Sequence, residues 1–360
     1  MIIGIDASRA EHQERTGTEW YSYELIRALQ KVDKENSYIL YSRKPLPADL
    51  AGDNPNFKNK PLDWVFVLLW TQIRLSWEVF WHPPDILLVP AHTVPIFRRC
   101  KAVVMIHDVG FDANPELYSF KDKLYHRFSV WYASLFAEGI LCPSEFTKQE
   151  LIKHYGTDPE KITVVHHGFR MHTAKQKISA EKYFLYVGRL EKKKNILRIL
   201  QAFKKATDND QEYKLVLAGR PGHGFAEFEE FVSKNNLSGR VKFPGYISDS
   251  TLSELFAGAT AFVFPSLYEG FGLPILEAQS MSCPVITSKN LSTEEVAGDS
   301  ALLVDPRSVD DIANQMDLVM RDEKLRKEIV EKGRENLKRF SWEVAAKKSL
   351  SELEKTLTRN

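Results

Sequence analysis

The sequence predicts an α/β protein with two domains, each built on a parallel β-sheet in the manner of a Rossmann fold. The chain has 360 residues, more than one hydrophobic core usually holds. The order of strand, polar loop and helix that opens the chain begins again near residue 183. Short apolar runs such as Asp85–Val89 and Ala102–Ile106 have the length and β-branched content of buried parallel strands.

Charge and cysteine content favour a soluble protein of a reducing compartment. The chain carries 49 basic and 48 acidic residues, so its net charge does not indicate nucleic-acid binding. Its three cysteines are far apart and lack metal-ligand spacing, which is typical of the cytoplasm. The start, Met1–Asp6, resembles a strand more than a signal peptide, and no apolar run is long enough to span a bilayer. We therefore expect a cytoplasmic protein, with any membrane contact peripheral and at the inner face.

The first half contains a regular series of predicted strands and helices. Met1–Ile5 is a strand, a polar loop containing Gly17 follows, and apolar residues from Tyr21 to Leu29 recur at helical spacing. Further strands are predicted at Ser37–Tyr41, Asp85–Val89, Ala102–Ile106, Gly139–Cys142 and Ile162–Val165, a loop at Pro45–Pro61, a helix at Tyr118–Glu138 and a helix capped by Ser144. This half, residues 1–170, is the predicted first domain.

The segment Asp63–His82 contains four of the seven tryptophans. Helical spacing places Trp70, Ile73, Trp77 and Phe80 on one face. Two interpretations stay open, a helix packed on the sheet or a surface that grips a lipid-linked acceptor or a membrane. Arg74 is the only cation among these residues, which weighs against an anionic membrane.

Histidines follow two of the predicted strands. His107 and Asp108 come directly after Ala102–Ile106, where ligands gather in open α/β sheets, so His107 is a candidate site residue. His166 and His167 close the first domain. Because neither Cys nor a carboxylate lies at ligand spacing from this pair, we expect a loop and not a metal site.

The second half begins after a polar linker at 171–180 and covers residues 180–340. Its first predicted strand, Tyr183–Val187, is followed by Gly188 and Arg189, and then by a lysine run that ends in Lys194. A lysine run is usually a solvated surface. Here it lies between a buried strand and a helix, where Arg189 and Lys194 could clamp a diphosphate.

The stretch Phe264–Glu277 carries the strongest functional signal. The apolar run Ala261–Phe264 predicts a buried strand, a glycine-rich loop follows, and Pro274 suits the first turn of a helix. Such an arrangement presents backbone N–H groups to an anion. Glu269 and Glu277, with seven residues between them, flank this predicted anion site.

The string Glu269-Gly-Phe-Gly-Leu-Pro-Ile-Leu-Glu277 resembles the signature of retaining glycosyltransferases of family GT4, which have the GT-B fold. The resemblance covers nearly the whole chain, and its motifs occur in the expected order. It implies two Rossmann-like domains facing a central cleft. Residues 1–170 would bind the acceptor, residues 180–340 the nucleotide sugar, and a helix at 341–360 would cross back to the first domain.

The resemblance also implies roles for single residues. The catalytic candidates are His107, Arg189, Lys194 and Glu269. Those expected to bind the donor are Gly17, Arg189, Lys194, Tyr246, Glu269, Gly270, Phe271, Gly272, Leu273 and Glu277. His107 and Glu269 would contact the donor sugar, Glu277 the ribose, and the loop with Tyr246 the base. Neither a metal ion nor another cofactor is expected, because cations would stabilise the leaving diphosphate. The diphosphate itself would help to deprotonate the acceptor.

Three positions depart from the family pattern or vary within it. Thr18 follows Gly17 where relatives carry a second glycine, Asn195 stands where glycine is also common, and Ser282 replaces a common glycine. If position 282 needs a positive φ, serine there costs about 1 kcal/mol.

The implied reaction is transfer of a hexose from a nucleoside-diphosphate sugar to a hydroxyl of a glycan or lipid-linked acceptor. The stretches Pro90–Thr93, Ile106–Asp108 and Asn114–Glu116 resemble bacterial polysaccharide (O-antigen type) mannosyltransferases that use GDP-mannose. The alternatives are a transferase that uses UDP-glucose or a UDP-N-acetylhexosamine, a GT-B sugar epimerase, and an inactive carbohydrate-binding module.

Overall fold

The structure, a computed structural model, describes residues 1–359 except 13, 14, 16, 52, 53, 65–68, 119 and 172–180. Apart from residue 171, the predicted linker at 171–180 lies outside the described residues. The chain divides into two compact units. The first comprises Met1–Gly168 and Phe340–Asn360, and the second comprises Phe169–Arg339.

The first unit is built on a parallel sheet. Its strands are β1 (Ile2–Asp6), β2 (Ser37–Ser42), β3 (Phe57–Pro61), β4 (Ile86–Val89), β5 (Lys101–Met105), β6 (Gly139–Cys142) and β7 (Ile162–Val164). Its α-helices before residue 168 are α1 (Gly17–Val32), α2 (Ala48–Ala51), α3 (Ser76–Trp81), α4 (Gly110–Ala113), α5 (Phe120–Phe136) and α6 (Glu145–Tyr155). The strand order is β3-β2-β1-β4-β5-β6-β7.

Helices cover both faces of this sheet, which explains the continuous apolar runs of its central strands. Successive residues of a strand point to opposite faces. In β4, Leu88 belongs to one hydrophobic cluster with Ile3 and Ile5, whereas Leu87 and Val89 belong to a second cluster on the other face. A strand buried on both sides cannot alternate apolar with polar residues.

The second unit repeats the same topology. Its strands are β8 (Tyr183–Val187), β9 (Lys214–Ala218), β10 (Val241–Gly245), β11 (Ala261–Phe264), β12 (Val285–Ser288) and β13 (Leu302–Val304). Its helices are α7 (Ile196–Ala206), α8 (Phe225–Lys234), α9 (Asp249–Gly258), α10 (Leu273–Ser280), α11 (Ser292–Ala297), α12 (Val309–Arg321) and α13 (Glu323–Leu337). The strand order β10-β9-β8-β11-β12-β13 reverses direction between β8 and β11, where open sheets bind ligands.

The last helix, α14 (Trp342–Thr358), belongs to the first unit and packs against α1. Thr163 donates a hydrogen bond of 2.8 Å to the buried Glu352 carboxylate of α14. The Lys101 ammonium donates to the carbonyl oxygens of Thr356 and Leu357 at the end of the helix. This cation therefore stabilises the negative end of the helix dipole.

The predicted loop at Pro45–Pro61 is wrong in part, because it contains α2 and the edge strand β3. The β3 sequence Phe57-Lys-Asn-Lys-Pro61 has no apolar run, since an edge strand has a single neighbour and one side chain, Phe57, enters the core. The Phe57 ring stacks on Tyr38 of β2 at a centroid distance of 4.0 Å. A contact across the sheet, not a local pattern, fixes this strand.

The predicted face of Trp70, Ile73, Trp77 and Phe80 is also wrong. Residues Trp70–Leu75 form a π-helical turn that continues into α3. A π-turn contains more residues per turn than an α-helix, so residues beyond it are rotated away from the face predicted by α-helical spacing. Trp70 is buried, whereas the Trp77 side chain is 64% exposed.

We predict that Ser282→Gly stabilises the protein by about 1 kcal/mol, because Ser282 has a φ of 56° that glycine adopts without strain. The matched control is Asn195→Gly, at a φ of 66°. The Asn195 amide donates to the carbonyl oxygens of Pro265 and Pro306 at 2.9 and 2.6 Å, so its loss should cost about 1–3 kcal/mol despite the relief at φ. Urea unfolding of the variants measures both effects, and the prediction is wrong if both variants change stability in the same direction.

Candidate active site

A glycine-rich loop joins β11 to α10 in the second unit. All four residues of β11 are buried, and α10 begins at Leu273 with Pro274 in its first turn. Gly272, the residue before the helix, has a φ of 112°, and a Cβ there would meet Ile275 Cδ1 at 3.2 Å. Glycine is therefore required at this position, and the helix begins without a side-chain cap. Gly270 and the buried Phe271 complete the loop.

A second loop, after β8, is fixed against the first. Residues Lys192–Lys194 form a 3₁₀ turn that ends at Asn195 in the left-handed conformation. The backbone N–H of Leu267 donates to the Lys193 carbonyl oxygen at 3.0 Å, and the Asn195 amide donates to that of Pro265 at 2.9 Å. These bonds fix the chain on either side of Lys194 against the loop after β11.

Lys194 and Glu269, both predicted site residues, form an ion pair. The Lys194 ammonium donates to the Glu269 carboxylate, and both side chains are about 15% exposed, 16% and 15% respectively. Ser292 of α11 donates to the Glu269 backbone carbonyl at 2.6 Å, which holds the loop from its other side. The structure thus joins the predicted phosphate ligand to the predicted sugar ligand across 75 residues of sequence.

Arg189 lies on a turn where two backbones are in close contact. A Cβ at Gly219, after β9, would lie 1.9 Å from the Gly188 carbonyl oxygen. The Leu190 N–H donates to the Arg220 carbonyl oxygen at 2.9 Å and fixes the turn further. The Arg189 side chain itself is 66% exposed, with its Nε 3.6 Å from Glu191 Oε2. It is accessible to a ligand and is not part of the Lys194–Glu269 pair.

Glu277 has a partner that the sequence did not indicate. This carboxylate is 9% exposed on α10, and Arg170 Nη2 donates to its Oε1 at 3.2 Å. Arg170 Nη1 donates to Asp249 of α9 at 3.1 Å. A guanidinium thus bridges two carboxylates. The one sequence signal for this bridge was an arginine at the predicted domain boundary. Local patterns could not reveal its partners, because Asp249 and Glu277 lie 79 and 107 residues from Arg170 in the sequence.

Tyr246 follows β10 and is separate from the loop that carries Glu269. Its ring is 58% exposed, and the Arg220 guanidinium lies 5.1 Å from the ring centroid. The Gly219 N–H donates to the Gly245 carbonyl oxygen at 2.8 Å and joins the ends of β9 and β10. An exposed aromatic ring beside a guanidinium can stack on a planar ligand.

His107 of the first unit lies in a cluster of aromatic rings. Its Nε2 is 2.9 Å from the Pro90 carbonyl oxygen, and its ring meets Tyr21 edge-on at a centroid distance of 4.9 Å. The His167 ring lies 5.6 Å from that of His107 and is buried. Burial lowers the pKa of His107, and it lowers the pKa of His167 well below the usual value. Both imidazoles are therefore neutral at pH 7, and His107 can donate a hydrogen bond from Nε2.

Gly17, the other predicted site residue of the first unit, has plainer surroundings than His107. Gly17 is the first residue of α1, and a Cβ built there would meet no atom within 4 Å. Asp108 Oδ1 accepts a hydrogen bond of 2.9 Å from the Gly110 N–H and so stabilises the turn before α4. The described residues include no cluster of three or more His, Cys, Asp or Glu that could hold a metal ion.

Comparisons with known proteins agree with this architecture. The family model for Glycosyl transferases group 1 matches residues 170–336, and that for Glycosyltransferase Family 4 matches residues 15–172. O-antigen chain mannosyltransferase B of Escherichia coli is 32% identical over 260 residues, 68% of this chain and 68% of that protein. O-antigen chain mannosyltransferase RfbU of Salmonella typhimurium is 27% identical over 303 residues, 81% of this chain and 83% of that one.

Solved structures show the same fold. WaaG, a glycosyltransferase involved in lipopolysaccharide biosynthesis, superposes with a TM-score of 0.75 at 14% identity and covers 98% of this chain and 99% of its own. Anabaena Alr3699/HepE, solved in complex with UDP and glucose, gives a TM-score of 0.76 at 19% identity with the same coverage.

These findings define the protein as a glycosyltransferase with the GT-B fold, an enzyme of the hexosyltransferase class. The chain belongs to glycosyltransferase family 4, and its relatives include the O-antigen mannosyltransferases. The fold class and the family predicted from the sequence are confirmed.

We predict that Arg170→Gln lowers the free energy of unfolding by about 2–3 kcal/mol, because it leaves the buried Glu277 carboxylate without this guanidinium. The double variant with Glu277→Gln should regain part of the loss, since both charges are then absent. Asp249→Asn is the matched control, because the Asp249 side chain is 61% exposed and its pair with Arg170 should contribute less than about 1 kcal/mol. Additive effects of the Arg170 and Glu277 substitutions in urea unfolding would contradict the coupling.

Proposed function

We propose that this glycosyltransferase moves mannose from GDP-mannose to a hydroxyl of a glycan or lipid-linked acceptor, with retention at the anomeric carbon. The observation that carries the proposal is the Lys194–Glu269 pair beside the start of α10, with Glu277 in the same helix. The names of the mannosyltransferase relatives support mannose as the transferred sugar. The first unit would bind the acceptor and the second the donor.

Charge on the leaving diphosphate is the main problem that the enzyme must solve. As the glycosidic bond breaks, the diphosphate gains negative charge, and preorganised cations and N–H groups stabilise it best where water is scarce. Lys194, Arg189 and the N–H groups near Leu273 would supply this stabilisation. Because these cations and N–H groups would stabilise the charge on the leaving diphosphate, we expect the reaction to need no metal ion.

The ion pairs of the second unit suggest how donor binding proceeds. A diphosphate near Lys194 would compete with Glu269 for the ammonium. Glu269, released from Lys194, would then accept hydrogen bonds from hydroxyls of the transferred sugar. Glu277, held by Arg170, would accept hydrogen bonds from the ribose, and Tyr246 would lie against the base.

The first unit would complete the reaction at the sugar. His107 Nε2 would donate a hydrogen bond to a donor-sugar hydroxyl in place of the Pro90 carbonyl contact. The acceptor hydroxyl would transfer its proton to the departing diphosphate as the new bond forms on the same face of the sugar. We propose that the enzyme acts in the cytoplasm, with peripheral contact at the inner face of the membrane.

A second candidate is a UDP-glucose-dependent transferase. It is favoured by the structural neighbour described in complex with UDP and glucose, although that likeness is at 19% identity. The reaction and the site residues would be the same, and only the base and the sugar would differ.

A donor panel tests the proposal. GDP-mannose and GDP should raise the melting temperature more than UDP-glucose, UDP-N-acetylglucosamine or UDP, because a ligand bound only by the native state stabilises it. Slow donor hydrolysis should persist in excess EDTA and vanish in Arg189→Ala with Lys194→Ala. A shift with UDP-glucose alone would select the second candidate. If no donor binds and none is hydrolysed, the protein is an inactive carbohydrate-binding module.

We predict different kinetics for substitutions of the two glutamates. Glu277→Gln should weaken GDP binding and raise donor KM together, by about 1.5–3 kcal/mol, because the ribose is present in substrate, transition state and product alike. Glu269→Gln should lower kcat, because its partner is the transferred sugar. It should not weaken GDP binding, because the variant frees Lys194 from the carboxylate that competes with the diphosphate.

Calorimetry with GDP and its 2′,3′-dideoxy analogue gives the sharpest test of the Glu277 role. The wild type should prefer GDP, and Glu277→Gln should lose that preference while Glu269→Gln keeps it. If Glu277→Gln abolishes kcat and keeps the preference for GDP, the two roles are assigned wrongly.

A further inference from the structure

Helix α5 holds the loop after β4 at two consecutive residues. The His126 Nδ1 atom lies 2.9 Å from His92 Nε2, and the Tyr125 hydroxyl lies 3.0 Å from the Thr93 hydroxyl. The two imidazole rings meet edge-on at a centroid distance of 4.8 Å. Neighbouring residues of the helix therefore bond to neighbouring residues of the loop, which fixes both the position and the direction of the loop.

The same turn of α5 also holds the short helix α4. The His126 ring stacks on Phe111 of α4 at a centroid distance of 5.4 Å. The next residue, Arg127, forms an ion pair with Asp112, whose Oδ1 lies 2.8 Å from the Arg127 Nε. We call Tyr125, His126 and Arg127 the α5 clamp, because together they hold α4 and the loop after β4.

The loop that the α5 clamp holds supplies the hydrogen-bond partner of His107. The Pro90 carbonyl oxygen, two residues before His92, lies 2.9 Å from His107 Nε2. A carbonyl oxygen can only accept, so the proton of the neutral His107 ring must be on Nε2. The position of one atom in the loop therefore decides which nitrogen of His107 can donate to a ligand.

The His92 ring is neutral at pH 7. Burial, followed by the neighbouring His126 and His107, lowers the pKa of His92 to about 3, although Asp108 acts in the opposite direction. Arg9, the other charged group that acts on His92, lowers the pKa further. A neutral imidazole has one nitrogen that donates and one that accepts, so His92 can bond to His126 whether or not His126 carries a second proton.

Stability alone does not require a hydrogen bond between two histidines. A bond between neutral groups contributes about 1 kcal/mol, which apolar packing at the same position would match. Unlike packing, however, a hydrogen bond depends strongly on direction. The α5 clamp and the Pro90 carbonyl therefore determine the orientation of one ring, and that ring belongs to His107, a predicted residue of the site.

We propose that the α5 clamp is a positioning device for His107. The His92–His126 bond holds the Pro90 carbonyl in place, which keeps the His107 proton on Nε2 and the ring in one orientation. When a sugar hydroxyl takes the place of the carbonyl, the proton is already on the nitrogen that must donate it. The inference deepens the proposed function and rests on it for its purpose. His126 is a positioning residue, because it acts through His92 and not on the sugar.

Nitrogen-15 NMR of the histidine rings tests the positioning without any donor. The two nitrogens of a neutral imidazole differ widely in chemical shift, and the wild-type His107 should show a protonated Nε2 and an unprotonated Nδ1. The His107 signals are identified by their absence from His107→Gln. His126→Phe keeps a ring beside Phe111 but removes the bond to His92, so the His107 signals should move toward the average of the two tautomers.

Two further variants separate positioning from a general loss of packing. His126→Asn should keep the wild-type His107 signals, because its amide can occupy the place of the Nδ1 atom although the ring is lost. Tyr132→Phe is the matched control. It removes a hydrogen bond of 3.3 Å from α5 to the Ile96 carbonyl oxygen, farther along the same loop, and should leave the His107 signals unchanged.

Hydrolysis of GDP-mannose measures the consequence for the reaction. His126→Phe should have a kcat/KM about tenfold to a hundredfold below that of the wild type, because a misplacement of about 1 Å can have an effect of this size. Its affinity for GDP should be unchanged, since GDP lacks the transferred sugar. His126→Asn should regain most of the activity, and Tyr132→Phe should react like the wild type.

Four results would overturn the inference: a His107 proton on Nδ1 in the wild type, unchanged His107 signals in His126→Phe, an equal change in Tyr132→Phe, and a wild-type kcat/KM in His126→Phe. Changed signals that His126→Asn restores would support it. A wild type that binds no nucleotide sugar would contradict the proposed function, and the NMR measurements would still decide whether the α5 clamp positions His107.

Discussion

The left-handed conformation of Asn195 is the constraint on which the second unit's candidate site depends. At this residue the lysine turn ends and α7 begins, and a φ of 66° is needed for the chain to change direction. Asparagine tolerates this conformation better than most residues, and its amide also bonds to the carbonyl oxygens of Pro265 and Pro306. One residue therefore fixes the loop after β8 against the loop after β11. The Lys194–Glu269 pair is a consequence of that contact, because side chains on unconnected loops would not be held within hydrogen-bonding distance.

Both key carboxylates of this unit are neutralised by cations in the absence of a ligand. Glu269 is paired with Lys194, and Glu277 is paired with Arg170. A carboxylate left unpaired at either of these largely shielded positions would carry a desolvation cost, which the paired cation offsets. The two pairs differ in what a bound diphosphate sugar would do to them. In the proposed mechanism the diphosphate would compete for Lys194, whereas Arg170 would stay bound to Asp249 and Glu277 while Glu277 binds the ribose.

The first unit encloses two histidines among aromatic rings and exposes several large hydrophobic side chains on its surface. Burial lowers the pKa of His107, whose ring meets Tyr21, and that of His167, whose ring stacks on Trp342. Its outer surface, by contrast, leaves Trp77, Phe97 and Trp131 exposed. No helix in the described part of the chain is both long and apolar enough to cross a bilayer.

The sequence by itself determined the class of fold and the family, because both depend on local patterns. Buried parallel strands are continuous apolar runs, glycine is required where φ is positive before α10, and the Glu269–Glu277 string lies within one loop and helix. Sequence patterns missed β3, since an edge strand buries one side chain and is fixed by its neighbour Tyr38. They missed the π-turn that rotates Trp77 outward, since α-helical spacing assumes a regular helix. They also missed the bridge from Arg170 to Asp249 and Glu277. The edge strand and the ion pairs share one physical reason: they are formed by residues distant in sequence, and only the tertiary structure decided which of them meet.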